Sequence, residues 1–162
     1  MKTIKAVPIT AENFAPYGFI ANISDPGDAY ELPGSGFHRD MVLVPNASSA
    51  VTAFGSLKVA KREMVIADAE YHSQAMEVMM PLDDDMVMAA APANGGELEL
   101  DKQVAFLVPA GTMVVFRAGA RHGAPFPVHH DGTVLICLPE RTYLCDTCKL
   151  LFTDEQKIKI EL

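Results

Sequence analysis

The stretch Val104-Ala105-Phe106-Leu107-Val108-Pro109-Ala110-Gly111-Thr112-Met113-Val114-Val115-Phe116 holds two short runs rich in Val and Phe on either side of a Pro-Ala-Gly turn. Runs this short, β-branched and aromatic, with turn residues at their ends, read as strands. Similar runs recur over residues 40–44, 50–59, 63–67, 74–80, 86–91, 104–107, 112–116 and 133–138. Their spacing of roughly 8 to 14 residues predicts an all-β sandwich or barrel, with the jelly-roll barrel, a double-stranded β-helix, as the architecture. A short N-terminal helix precedes it: Thr10 offers an N-cap, and Pro16 and Gly18 stop the helical pattern. Residues 24–36 read as a long loop and residues 154–162 as a separate strand or helix. Asp83-Asp84-Asp85 and His130-Asp131-Gly132 read as turns joining antiparallel neighbours.

The chain has 162 residues, 49% of them hydrophobic and 21% charged, which suits one domain over residues 1–162 and excludes a disordered or collagen-like protein. Thirteen basic against 21 acidic residues give a formal charge of -8, so nucleic acid and membrane surfaces are not expected partners. There is no apolar run of bilayer length and no secretory signal pattern, and Cys137, Cys145 and Cys148 are an odd count. Reduced thiols and a cytoplasmic address are the expectation.

The densest chemical constellation is Glu70-Tyr71-His72-Ser73-Gln74-Ala75-Met76-Glu77. On a continuous strand Glu70, His72 and Gln74 share one face, and Glu77 falls on the other unless a bulge turns it. The segment resembles the first metal motif of the cupin superfamily, HxH followed after a short gap by Glu, with Glu70 in place of the first His. A second cupin motif, Pro-x-Gly and then a His, is resembled by Pro109-Ala110-Gly111 followed at a longer distance by His122. Two imidazoles with one or two carboxylates suit a borderline divalent ion such as Ni, Zn, Mn or Fe. The bland alternative puts Glu70 and His72 in solvent at a strand end and His122 in a loop.

A closer resemblance is to the ureidoglycolate lyases. It is carried by Pro8-Ile9-Thr10-Ala11-Glu12-Asn13-Phe14-Ala15-Pro16-Tyr17-Gly18, then Phe37-His38-Arg39-Asp40-Met41-Val42-Leu43-Val44, Ser73-Gln74-Ala75-Met76, Pro81-Leu82, Arg121-His122-Gly123-Ala124-Pro125 and Cys145-Asp146, in the family's order over nearly the whole chain. Arg39, Arg121 and Gly123 stand where the family carries His, Trp and a second His. The resemblance implies cleavage of ureidoglycolate to glyoxylate and urea at a divalent metal, Ni, Zn or Mn, held by Glu70, His72, Glu77 and His122. Glu77 and His122 are the expected catalytic groups, with Glu77 moving the proton and Gln74 an alternate ligand or substrate contact. A small anionic substrate in a chain of this charge needs local cations, for which Arg39, Arg121, Arg141 and Lys58 are the candidates. By analogy with cupins, exposed strand edges would pair the chain as a homodimer. Two readings stay open beside this one: a cupin enzyme acting on another small polar acid or sugar derivative, and a cupin that binds a small ligand without catalysis.

Other signals are weaker. Cys145-Asp146-Thr147-Cys148 is a lone CxxC that would need two more ligands to complete a zinc site, which Cys137 and the His129-His130 doublet supply only if the fold brings them together. The nine Met residues are expected to pack the core. No P-loop, GxGxxG, GxSxG or HExxH occurs.

Overall fold

In the computed structural model, which describes residues 1–45, 47, 49–94 and 99–162, the strands gather into two main sheets. The smaller carries, in order, Gly18–Asn22, Thr112–Phe116, Glu77–Pro81, Gly132–Pro139 and Thr52–Val59, each antiparallel to the next. The larger runs Cys148–Leu151, Asp68–Tyr71, Arg121–His122, Met86–Ala91, Val104–Val108, Lys2–Pro8, Ile158–Glu161 and Val65–Ile66, with Phe126–Pro127 also paired to Met86–Ala91. Lys2–Pro8 lies parallel to both of its neighbours. Glu77–Pro81 belongs to the small sheet, Met86–Ala91 and Val104–Val108 to the large, Thr112–Phe116 to the small, Arg121–His122 to the large, and Gly132–Pro139 to the small again. That repeated crossing is the double-stranded β-helix expected from the spacing.

Alternation explains why the centre of this sequence is so apolar. Met86, Met88 and Ala90 face the interior with Phe106, Val114, Phe116 and Val134, whereas Val87 and Ala89 face a second cluster with Phe126, Phe152, Ile158 and Ile160. All six residues of Met86–Ala91 are therefore buried. The helix Ala11–Phe14 begins in a capping box, with Thr10 Oγ1 accepting from the Asn13 amide at 3.1 Å and Asn13 Oδ1 accepting from the Thr10 amide at 2.9 Å. Its product is the placement of Phe14, fully buried and edge-on to Phe106 and Phe116 at 5.2 and 5.5 Å. Gly18 serves close approach rather than helix termination alone, since a Cβ there would run into the carbonyl oxygen of Val115 on the paired strand. Met79, Met86 and Met88 lie in the core.

Several expectations are corrected. Residues 40–44 form no strand, and the supposed loop over residues 24–36 contains the two-stranded ribbon Tyr30–Leu32 and Ser35–Phe37. The strand expected at 74–80 begins only at Glu77, because the backbone of residues 73–75 is claimed by a side chain from elsewhere. The Asp83-Asp84-Asp85 and His130-Asp131-Gly132 turns are not hairpins but corners between sheets, since face-to-face packing buries apolar surface that edge pairing would leave wet. Each aspartate holds a different stretch of backbone at such a corner. Asp83 Oδ1 accepts from the Thr133 amide at 2.6 Å, Asp84 Oδ2 from His129 and His130 at 2.8 and 3.1 Å, and Asp85 Oδ1 from Ala110 at 2.9 Å. Strands that leave a sheet strand their amides, and carboxylates satisfy them with charge-assisted bonds. Among the described residues no helix is long and apolar enough to cross a membrane.

Replacing the buried Asp84 with Ala strips two corner amides of their acceptor. Urea denaturation should show a loss of roughly 1–3 kcal/mol with an unchanged slope.

Candidate metal centre

Four side chains converge between the sheets. Glu70 lies on Asp68–Tyr71 directly opposite His122 on Arg121–His122, so the register alone puts the two on one face. His72 follows the first of these strands, and Glu77 opens the Glu77–Pro81 strand of the other sheet. The parity difficulty at Glu77 is thus resolved by a break and a sheet crossing rather than a bulge. Donor atoms of Glu70, His72, Glu77 and His122 all lie within 4.8 Å of one another, and theirs is the one such cluster among the described residues. His72 Nε2 and His122 Nε2 both approach Glu77 Oε2, at 3.0 and 2.7 Å. His72, Glu77 and His122 are buried, and Glu70 is half-buried.

The other ring nitrogens explain this convergence. His72 Nδ1 lies 2.9 Å from the Asp146 carbonyl oxygen, and His122 Nδ1 lies 3.0 Å from that of Ala120. A carbonyl only accepts, so each Nδ1 carries a proton and each Nε2 is aimed at the centre. Phe116 stacks on the His122 ring at 4.5 Å and fixes its plane. Asp146 fixes the loop that carries His72: its carboxylate accepts from the amides of Ser73, Gln74 and Ala75 at 2.8, 3.0 and 2.9 Å and from the Ser73 hydroxyl at 2.5 Å. The His72 carbonyl in turn accepts from the Gly119 amide at 2.7 Å. Gly119, at φ 81°, makes the turn that feeds His122, so the Gly-x-x-His run Gly119-Ala120-Arg121-His122 takes the place expected for Pro109-Ala110-Gly111.

Burial pushes the Glu77 carboxyl up, but hydrogen bonds and charge from His122 and His72 outweigh it and hold the group down at about 2. Burial likewise pulls His72 down, and the hydrogen bond and charge of Glu77, with smaller help from the Asp146 carbonyl and Glu70, raise it above its ordinary value. Two imidazoles with preset tautomers and two carboxylates, all meeting within one small buried volume, fit a divalent ion of the nickel, zinc or manganese kind.

The remaining candidates lie elsewhere. Gln74 is exposed and uses its backbone amide on Asp146. Arg121 is buried with its side chain on the face opposite to His122, where Nη1 donates to the Pro92 carbonyl at 2.7 Å and the guanidinium covers the Tyr71 ring. Arg39 is exposed over the Tyr30 ring of the ribbon, and Arg141 is exposed beside Glu140. Lys58 donates to Thr133 Oγ1 near the Asp83 corner, beyond the far end of the strand that Glu77 begins. Sequence reasoning placed these cations by proximity to strands, but strand ends at opposite rims are indistinguishable by that criterion. It also missed the work of Asp146, which the sequence marks only as part of the Cys145-Asp146 phrase of the family resemblance. Cys145 and Cys148 are exposed free thiols and gather no further ligands among the described residues.

Chelator-treated protein should be most stable in mildly acidic solution. Glu77, held at about 2 against an ordinary 4.5, contributes stability above about pH 4.5 that is lost as pH falls toward 2. His72, raised above its ordinary 6.5, contributes stability below about pH 6.5 that is lost as pH rises through its shifted value. Melting curves across pH check both limbs, and Glu77→Gln should flatten them. Asp146→Asn, which weakens the clasp on the His72 loop, should lower zinc or nickel affinity by about 10–100-fold in a competition titration.

No family model matches the chain. It is 30% identical over 140 residues to a protein of Agrobacterium fabrum provisionally named a ureidoglycolate lyase, a match covering 82% of this chain and 80% of the relative. Among solved structures it is similar to a dTDP-4-dehydrorhamnose 3,5-epimerase of Bacillus anthracis, with TM-score 0.52 and 9% identity over 85% of this chain and 87% of that one. It is also similar to a dTDP-6-deoxy-D-glucose-3,5-epimerase of Legionella pneumophila, with TM-score 0.51 and 12% identity over 85% and 79%. At such low identity these likenesses establish the cupin jelly roll and carry no information on chemistry. The sequence relative does more, for its similarity runs through four-fifths of both chains: the protein belongs to the ureidoglycolate lyase family of cupins.

Proposed function

We propose that the protein is a divalent-metal-dependent lyase that splits ureidoglycolate into glyoxylate and urea. The observation that carries this reading is the buried Glu77 carboxylate with two imidazole nitrogens at 3.0 and 2.7 Å, in a chain of this family. Ureidoglycolate is a carbinolamine: its hydroxyl must lose a proton, its C–N bond must break, and the departing urea nitrogen must gain a proton. A divalent ion held by Glu70, His72, Glu77 and His122 would supply Lewis acidity that lowers the hydroxyl pKa.

The protein groups then have separable tasks. Glu77 takes the hydroxyl proton and returns it to the urea nitrogen. His72 and His122, oriented through their Nδ1 protons, would present Nε2 to the ion in a site shielded from water. Asp146 acts through His72 and is a positioning residue.

The direct test is glyoxylate release from racemic ureidoglycolate, corrected for spontaneous decay. Chelator should abolish turnover and nickel, manganese or zinc should restore it, while Glu77→Gln should lower kcat by about 10²–10⁴-fold. No acceleration over the blank with any of these ions would overturn the lyase assignment and turn attention to other small acids and sugar derivatives.

A further inference from the structure

Two cavities of about 180 and about 130 Å³ share Asp68, Ala69, Gly123 and Ala124 in their walls, and the smaller is a cleft at the edge of the candidate metal centre. The larger is walled in part by residues of the second cluster, Ile66, Ala69, Ala89 and Phe126, whereas the smaller reaches Glu70 of the candidate metal centre. It exists because Glu70 and His122 are the registered pair between their strands, and the next residue, Gly123, leaves the gap unfilled. A Cβ at that position would already stand 3.6 Å from the Asp68 carbonyl oxygen, so a larger side chain would occupy the cleft.

Arg62 lines the larger cavity and Lys149 the cleft beside Glu70. Arg62 is committed to the wall: Nη1 and Nη2 donate to the Ala60 and Ala124 carbonyls at 3.4 and 3.3 Å, and the guanidinium lies 4.3 Å over the Phe126 ring. Lys149 is different. It stands opposite Glu70 in the Cys148–Leu151 register, so both side chains rise from one face, and its ammonium makes no hydrogen bond or ion pair with the described residues.

We propose that Lys149 anchors the carboxylate of the substrate in this cleft, beside the Glu70 edge of the metal centre. The inference rests on the ureidoglycolate reading for its substrate, and on the cleft itself for an anion. Charge balance supports it. A divalent ion cancels the charges of Glu70 and Glu77, so the loaded centre has no surplus to attract an anion, and the chain as a whole carries -8. With the Glu70 charge taken up by the ion, the facing ammonium is free for a small carboxylate.

The test uses zinc- or nickel-loaded protein with glyoxylate and oxalate as probes in titration calorimetry, alongside ureidoglycolate kinetics. Lys149→Ala should weaken binding of both probes by about 10–100-fold and raise KM by a similar factor, with kcat within a few-fold and metal content unchanged. Lys149→Arg should recover most of the loss. Probe binding by Lys149→Ala equal to wild type, or no binding by the wild type, overturns the proposal. Lys149-dependent probe binding without turnover of ureidoglycolate would keep the anchor and sink the lyase reading instead.

Discussion

A carboxylate shut between two β-sheets has to be compensated completely, and Glu77 imposes that condition on everything around it. An unpaired charge there would cost several kcal/mol, so two imidazoles are brought to one oxygen from two different elements. The Asp146 and Ala120 carbonyls engage the other nitrogen of each ring and so hold both imidazoles in orientation. Those carbonyls are in place because Asp146 grips the loop after His72 and Gly119 turns the chain before His122. The carbonyls that orient the two rings also aim both Nε2 atoms at the place an ion would take beside Glu77.

Glu70 adds a second carboxylate where the related cupin motif carries an imidazole, and this changes the electrostatics of the centre. A site with three imidazoles and one carboxylate keeps a positive surplus once a divalent ion is bound. The site built from Glu70, His72, Glu77 and His122 comes out neutral. Recognition of an anion is thereby shifted from the centre to its surroundings, where the fold offers a narrow opening beside Gly123 and little other positive charge.

Much of this was legible in the sequence, and the division between what was and was not follows physical lines. Continuous apolar runs such as Met86–Ala91 and Thr112–Phe116 stand where expected, because these strands are largely buried on both faces and local pattern decides them. The four ligand candidates also converge as the cupin resemblance implied. Pairing partners were less visible: the aspartate corner at residues 83–85 looks like a hairpin locally, and only the competing interior packing makes it a crossing. Asp146 acts on residues 73–75 from far along the chain, an interaction without a local signature. Lys149 was hidden for a related reason. The Cys145 and Cys148 pair drew attention to metal or redox chemistry, while the strand beginning at Cys148 supplies a cation by its register with Glu70.

The parallel strand Lys2–Pro8 lies between Ile158–Glu161 and Val104–Val108, with Lys2 opposite Ile158 and Ala6 opposite Ala105. Its hydrogen bonds therefore join residues far apart in sequence, and closing loops of that length is slow. The cluster that includes Ile158 and Ile160 closes only once both ends of such a loop have met. Until then an edge of Lys2–Pro8 is open, and the charged residues Lys2 and Lys5 are suited to keeping it from pairing with another copy.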